Sequence, residues 1–145
     1  MIRTIEPDEL PTFADMGAAF FRTLDLPGEF KHDVFVDCWR KLIASGAGFI
    51  LGRFIEDEPM EAIGAVVFPD MQTGEKTSCT TFWYVMPNAG LAVGLLADAL
   101  KTHWKTLGVK HGFVSVLCNE RLDKVSGFLL RSGYRLAEMQ FRKDI

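Results

Sequence analysis

The stretch from Val85 to Gly94 contains the residue types that would best hold a phosphate group. A β-rich run ends at Val85, and Pro87 lacks the backbone N–H that a strand needs to continue a sheet ladder. Short side chains then accompany the change to a helical pattern, at Asn88, Gly90, Ala92 and Gly94. The first turn of a helix leaves N–H groups unpaired and carries partial positive charge, and both properties suit an anion. The sequence therefore predicts that a phosphate-bearing cofactor binds at this stretch.

The other reactive side chains form no metal-binding or nucleophilic pattern. The cysteines are odd in number and widely spaced, and the histidines are scattered; they are Cys38, Cys79 and Cys118, and His32, His103 and His111. Cys118 follows a β-rich run but has no evident His or acid partner, so we expect a small buried apolar residue there rather than a nucleophile. We predict reduced thiols and no metal site.

The bulk composition indicates an ordinary globular protein. A chain of 145 residues, 48% hydrophobic and 24% charged, predicts one domain over 1–145 with a sound core. The formal net charge of −3 argues against a general nucleic-acid binder. The N-terminus has no signal-peptide pattern, and the longest apolar run, Ala62–Phe68, is far too short to span a bilayer. We therefore expect a cytoplasmic protein without a membrane partner.

Hydrophobic periodicity predicts the element order β-α-α-β-β-β-α-β-α-β. The predicted strands are 2–5, 49–55, 61–68, 77–85, 113–118 and 134–142, and the predicted helices are 7–24, 30–44, 90–107 and 119–132. Short turns favour an antiparallel meander over the three central strands. The helical crossover before 113–118 implies one parallel junction, and that segment looks too apolar for an edge strand. The fold class is therefore α+β, a mostly antiparallel mixed sheet with flanking helices, and the ends of the two parallel strands should diverge into a cleft beside the Val85–Gly94 stretch.

This order and three local motifs resemble the GNAT (GCN5-related N-acetyltransferase) family over essentially the whole chain. Ile2-Arg3 followed by Pro7-Asp8-Glu9-Leu10 looks like the family's first strand and helix. Val85-Met86-Pro87 followed by Gly90-Leu91-Ala92 is similar to its acetyl-CoA pyrophosphate loop, and Asn119 with Ser132-Gly133-Tyr134 is similar to its closing segment.

The resemblance implies an N-acetyltransferase, an acyltransferase that moves an acetyl group from acetyl-CoA to an amine of a small molecule or a protein. The cofactor-binding residues that it implies are Tyr84, Val85, Asn88, Ala89, Gly90, Leu91, Ala92, Val93, Gly94 and Asn119. The amine acceptor would enter over the first two helices. The final strand would be able to pair across a homodimer, which the sequence neither requires nor excludes.

The chain departs from the family's pattern at catalytic and binding positions. Pro87 stands in the Arg/Gln place of the Arg/Gln-x-x-Gly-x-Gly/Ala signature, and Leu129 stands where the family often has a proton-donating Tyr. The strand over 77–85 contains no acid to serve as a general base. Tyr84 is the only titratable side chain with a useful donor on that strand, apart from Cys79, and Ser126 is the hydroxyl nearest to Leu129 on its helix. These two residues are the catalytic candidates.

Each candidate also has a structural interpretation. The small residues of the loop also suit tight helix–strand packing, Tyr84 suits core packing, and Asn119 suits helix capping. At the level of function, the alternative to an enzyme is a non-catalytic module on the same fold that binds acyl-CoA or a protein.

Overall fold

The computed structural model describes residues 1–24, 26–89 and 93–145. Packing groups the chain into two compact units, Met1–Ser115 and Val116–Ile145. The elements of the first unit are β1 (Ile2–Thr4), a 3-10 turn (Pro7–Glu9), α1 (Leu10–Phe21), α2 (His32–Ala44), β2 (Gly48–Ile55), β3 (Glu58–Pro69), β4 (Lys76–Val85), α3 (Val93–Leu107) and β5 (His111–Phe113). The second unit contains α4 (Leu122–Arg131).

The sheet of the first unit has the strand order β1-β2-β3-β4-β5. Neighbouring strands from β1 to β4 are antiparallel, and β4 and β5 are parallel. The predicted α+β class is confirmed, with its three-strand meander and one parallel junction. None of the described helices is both long and apolar enough to cross a membrane.

The two faces of the sheet carry different helices. Alternate residues Ile50, Phe54 and Ala62 pack with the apolar side of α1, where Leu10 and Phe13 are almost fully buried. The other set of alternate residues faces α3, as the contact of Phe49 with His103 shows. On α3 the side chains of Leu96, Leu100 and Trp104 are buried at four-residue steps. This two-sided burial explains why the central strands contain long apolar runs.

Two strand predictions were wrong. The segment predicted as 113–118 is a strand only over His111–Phe113, and it lies at the edge of the sheet instead of inside it. Residues 134–142, predicted as a final strand, lie outside helices and strands. Their apolar side chains Leu136, Met139 and Phe141 are 78%, 72% and 91% exposed. An alternating pattern becomes a strand only when a neighbouring edge accepts its backbone hydrogen bonds, so alternation by itself does not ensure a strand.

Gly64 on β3 is a position where a side chain does not fit. A Cβ there would collide with the ring of Phe82 and come within 2.8 Å of Trp39 Cζ2. We expect Gly64→Ala to lower the free energy of unfolding by about 1–3 kcal/mol, because extra volume in a packed core forces neighbouring side chains out of place. Urea denaturation measures this change. Gly127→Ala on α4 is the control, since its Cβ would meet only the end of the Arg131 side chain. Equal stability of the two variants would contradict the prediction.

Candidate functional site

The parallel pairing of β4 with β5 ends at Thr80, whose side-chain oxygen takes the place of a backbone hydrogen-bond acceptor. The two strands pair at Thr77 with His111, Ser78 with Gly112, and Cys79 with Phe113. The next contact is different, because the Ser115 N–H donates to Oγ1 of Thr80 at 2.9 Å. Thr80 is 5% exposed whereas Ser115 is exposed, so this bond is partly buried.

Beyond that bond β4 continues alone on its β5 side. Residues 81–85 extend past the register with β5, and in the first unit no other strand pairs with this edge. Backbone N–H and C=O groups along such an edge are free to bond to an extended ligand. The backbone pairing of β4 with β5 therefore stops after Cys79 and Phe113, which we call the divergence of the two strands; the predicted cleft beside them stays a prediction.

A β-bulge on the other side of β4 coincides with the divergence. Gly64 pairs with Phe82 and Ala65 pairs with Thr80, so Thr81 is the extra residue. The Thr81 hydroxyl lies 3.4 Å from the Gly64 carbonyl oxygen, to which it donates. Bulges bend a strand and increase its twist. Both edges of β4 thus change at the same place, just before the strand reaches Tyr84.

Tyr84 lies on the α1 side of β4 within an aromatic cluster. Its ring stacks on Phe82, with centroids 4.2 Å apart and planes at 15°, and it lies 5.0 Å from the ring of Phe20. α1 approaches so closely that a Cβ on Gly17 would lie 2.8 Å from Tyr84 Cε2. Burial raises the pKa of Tyr84 to about 12. Among the described residues its hydroxyl has no hydrogen-bond partner, and the raised pKa keeps it protonated at neutral pH.

The opposite face of β4 carries a buried polar network that sequence reasoning missed. Glu61 on β3 is fully buried, and Arg53 on β2 is 5% exposed. Arg53 Nε donates to Glu61 Oε2 at 3.0 Å, and Trp83 Nε1 donates to Glu61 Oε1 at 2.7 Å. Arg53 Nη2 also donates to the carbonyl oxygen of Ala89 at 2.7 Å.

Strand register brings these side chains together. Arg53 and Glu61 are direct cross-strand partners, and Glu61 pairs with Val85, so Trp83 lies diagonally across from Glu61. Burial raises the pKa of Glu61, while the hydrogen bonds from Trp83 and Arg53 oppose that shift. The sequence contained a signal for this network, because Arg53 and Glu61 carry opposite charges at inward positions of apolar strands. Charged side chains are almost never fully buried without a partner.

The predicted phosphate-binding loop is described only at its two ends. Val85 is the last residue of β4, Asn88 is exposed in a turn, and Ala89 is 3% exposed. Val93 and Gly94 begin α3. The residues at the centre of the predicted site lie outside the described ranges; they are Gly90, Leu91 and Ala92. Their contact with a phosphate stays a prediction, as do the ligand contacts of the loop residues on either side.

The second unit contains the remaining predicted site residues. Asn119 Oδ1 accepts from the Arg121 N–H at 3.0 Å, and the Asn119 carbonyl accepts from the Leu122 N–H at 3.1 Å. Asn119 therefore forms the turn that leads into α4, and the helix itself begins three residues later than predicted, at Leu122. Ser126 is half-buried on α4. Cys118 is exposed, so its predicted burial was wrong; β5 ends at Phe113, and Cys118 is not part of a strand.

Comparison with known proteins identifies the fold. No protein-family model matches the sequence, and no curated protein matches it. A ribosomal-protein-alanine N-acetyltransferase from Brucella melitensis biovar Abortus 2308 is similar in structure, with a TM-score of 0.75 and 13% identity over 100% of this chain and 99% of that chain. A transcriptional regulator from Bacillus halodurans C-125 gives a TM-score of 0.79 and 12% identity over 100% and 99%. An aminoglycoside acetyltransferase from an uncultured soil metagenomic sample, in complex with sisomicin, gives 0.70 and 16% over 100% and 93%. With the strand order and the divergence of β4 from β5, these similarities show that the chain has the GNAT acetyltransferase fold.

Proposed function

We propose that the protein is an acyl-CoA-dependent N-acyltransferase that transfers an acetyl group from acetyl-CoA to an amine. The observation that carries the proposal is the edge of β4 beyond Thr80, with which no other strand of the first unit pairs, on a fold that the chain shares with N-acetyltransferases. The pantetheine arm of coenzyme A is an extended chain with two amides. Such a chain is able to lie beside β4 as an added strand, with Tyr84 and Val85 supplying backbone hydrogen bonds.

The loop after β4 would hold the pyrophosphate. Its candidate donors are the backbone N–H groups of residues 88–94, at the positively polarised start of α3. Pro87 offers no cationic side chain in the place where the family has Arg or Gln. Affinity for the phosphates therefore depends on how accurately the loop backbone is positioned. Asn119 is a further candidate for contact with the cofactor arm.

The transfer would follow direct attack on the thioester. The neutral amine nitrogen bonds to the carbonyl carbon, and a backbone N–H stabilises the oxyanion that forms. The C–S bond then breaks, the thiolate takes a proton, and the nitrogen loses one through water. Tyr84 is the first candidate to protonate the thiolate because its hydroxyl is protonated and free of partners in the described chain. Ser126 is the second candidate, and the acceptor amine would enter over α1 and α2.

Ligand-dependent stability tests the proposal. Acetyl-CoA at about a hundred times its dissociation constant should raise the free energy of unfolding by about 2.7 kcal/mol. Gly90→Glu should abolish this shift, since it places a carboxylate against the phosphates. Gln72→Glu adds the same charge in an exposed turn and is the matched control. Thermal denaturation with and without acetyl-CoA measures the shift. An unshifted wild type would refute the binding of this co-substrate.

A non-catalytic module that binds acyl-CoA or a protein is the second candidate. Two observations favour it: Leu129 replaces the family's proton-donating Tyr, and a transcriptional regulator shares this fold. Release of free thiol from acetyl-CoA across a panel of amines separates the two functions. A thermal shift without thiol release would support the module, whereas amine-dependent release supports the enzyme.

A further inference from the structure

One backbone carbonyl of the β4–α3 connection is held by buried side chains of the sheet. Arg53, Glu61 and Trp83, which we call the loop anchor, come from three adjacent strands, and Arg53 and Trp83 both donate hydrogen bonds to Glu61. The anchor ends on the carbonyl oxygen of Ala89, 2.7 Å from Arg53 Nη2. Ala89 is 3% exposed and is the last described residue before α3. The anchor therefore fixes the connection at the point where the predicted pyrophosphate loop begins.

The energetics of the anchor favour a positioning role over a stabilising one. Two charges that are buried together lose their hydration, and their attraction does little more than recover that loss. Apolar residues of similar volume often give equal or greater stability. An apolar replacement cannot fix the direction of a hydrogen bond to the loop. A guanidinium group presents its donors in a rigid planar fork, so Nε bound to Glu61 fixes the direction in which Nη2 meets Ala89.

Further bonds restrict the same short segment. The Met86 N–H donates to the Met60 carbonyl at 2.9 Å, which ties the end of β4 to β3. The Ala89 N–H donates to the Met86 carbonyl at 3.0 Å and closes a turn. With Arg53 on the carbonyl side, both polar groups of Ala89 are satisfied. The segment is thus held by the sheet before the chain enters α3.

We infer that the loop anchor positions the β4–α3 loop to receive the pyrophosphate of acetyl-CoA. This inference rests on the proposed function. Without a cationic side chain at Pro87, affinity for phosphate depends on the backbone N–H groups of the loop, and Arg53 holds Ala89, the residue at which the loop begins. Arg53, Glu61 and Trp83 are positioning residues: they set the affinity for the co-substrate and leave the acyl-transfer step unchanged.

Hydrogen exchange tests the positioning step without any ligand. Arg53→Met should make amides in the peptide over 86–95 exchange about tenfold faster, because the bond to Ala89 is lost. Arg53→Lys should restore part of the protection, since it keeps one charged donor without the fork. The control is Ile50→Ala, which opens a cavity in the core on the opposite face of the sheet and lowers global stability to an extent comparable with leaving Glu61 unpaired. It should leave this peptide unchanged relative to the rest of the protein. Equal exchange of the peptide in Arg53→Met and Ile50→Ala, at matched global stability, would overturn the inference.

Steady-state kinetics test the consequence for binding. For Arg53→Met we expect KM for acetyl-CoA to rise about tenfold while kcat stays within about threefold, as expected when only binding before the chemical step is weakened. Loss of kcat at unchanged KM would overturn the inference. If Arg53→Met does not fold, Arg53→Lys and Trp83→Phe are tested in its place by hydrogen exchange and steady-state kinetics. For both variants we expect smaller increases in the exchange rate of the peptide and in KM. If the wild type binds no acetyl-CoA, the proposed function fails, whereas exchange still reports whether Arg53 orders the loop.

Discussion

Glu61→Ala should lower the free energy of unfolding by about 3–5 kcal/mol, because it leaves the Arg53 guanidinium buried without its carboxylate. Arg53 is 5% exposed, so water cannot replace the lost partner without local opening of the sheet. The Trp83 N–H also loses its acceptor. Urea denaturation at neutral pH measures the loss. This change should be larger than that of any substitution at a surface ion pair, such as Lys41 with Asp37, which is exposed and contributes little.

The double variant Arg53→Met, Glu61→Leu is the matched control. It removes both charges and fills their space with apolar groups, so it should recover most of the stability that Glu61→Ala loses. Positioning of the loop should not recover, because neither new side chain donates to Ala89. A double variant as unstable as Glu61→Ala would mean that the lost volume, not the unpaired charge, dominates the cost.

Tyr84→Phe should lower kcat by at least about a hundredfold, the low end of the range for a positioned proton donor. The ring contacts with Phe82 and Phe20 do not need the hydroxyl, so the fold and KM for acetyl-CoA should change little. Because burial raises the pKa of Tyr84 to about 12, the group stays protonated at every pH below that value. If Tyr84 donates the proton, ionisation of its hydroxyl should not increase the rate as the pH rises. Thiol release followed from neutral to alkaline pH measures both effects.

Ser126→Ala distinguishes the two catalytic candidates. If Tyr84 protonates the thiolate, Ser126→Ala should retain most of the wild-type kcat while Tyr84→Phe loses it. The reverse result would transfer the role to Ser126. A wild-type rate that increases as Tyr84 loses its proton would contradict the donor role, since it would make Tyr84 a base.

Hydrophobic periodicity predicted most of the fold because it reflects which side of each helix or strand is buried. The apolar runs of the three central strands and the four-residue steps of Leu96, Leu100 and Trp104 on α3 both reflect burial against a core, and the strands and the helix are present. The segment 134–142 alternates in sequence but lies outside helices and strands. Strand pairing depends on residues that are distant in sequence, so the alternation of 134–142 alone did not show that this segment forms no strand.

The candidate site was harder to predict because its contacts join distant residues. The Ala89 carbonyl meets a guanidinium 36 positions earlier in the chain, and Thr80 meets an amide 35 positions later. The predicted place for a general base was the strand over 77–85, which contains no acid. Glu61 lies on the neighbouring strand, fully buried behind Arg53 and Trp83, where it is poorly placed to take a proton from an amine in water.

The bulge at Thr81 reverses the face of the sheet on which each later residue of β4 lies. Opposed residues of an antiparallel pair lie on the same face, so Cys79 shares the face of Val66, whereas Phe82 shares that of Gly64. Odd numbers before the bulge and even numbers after it therefore point to the same side. This one inserted residue turns Trp83 toward Glu61 and Tyr84 toward α1. The length of β4 is consequently as informative as its composition: removal of one residue there would exchange the two aromatic side chains between the faces of the sheet.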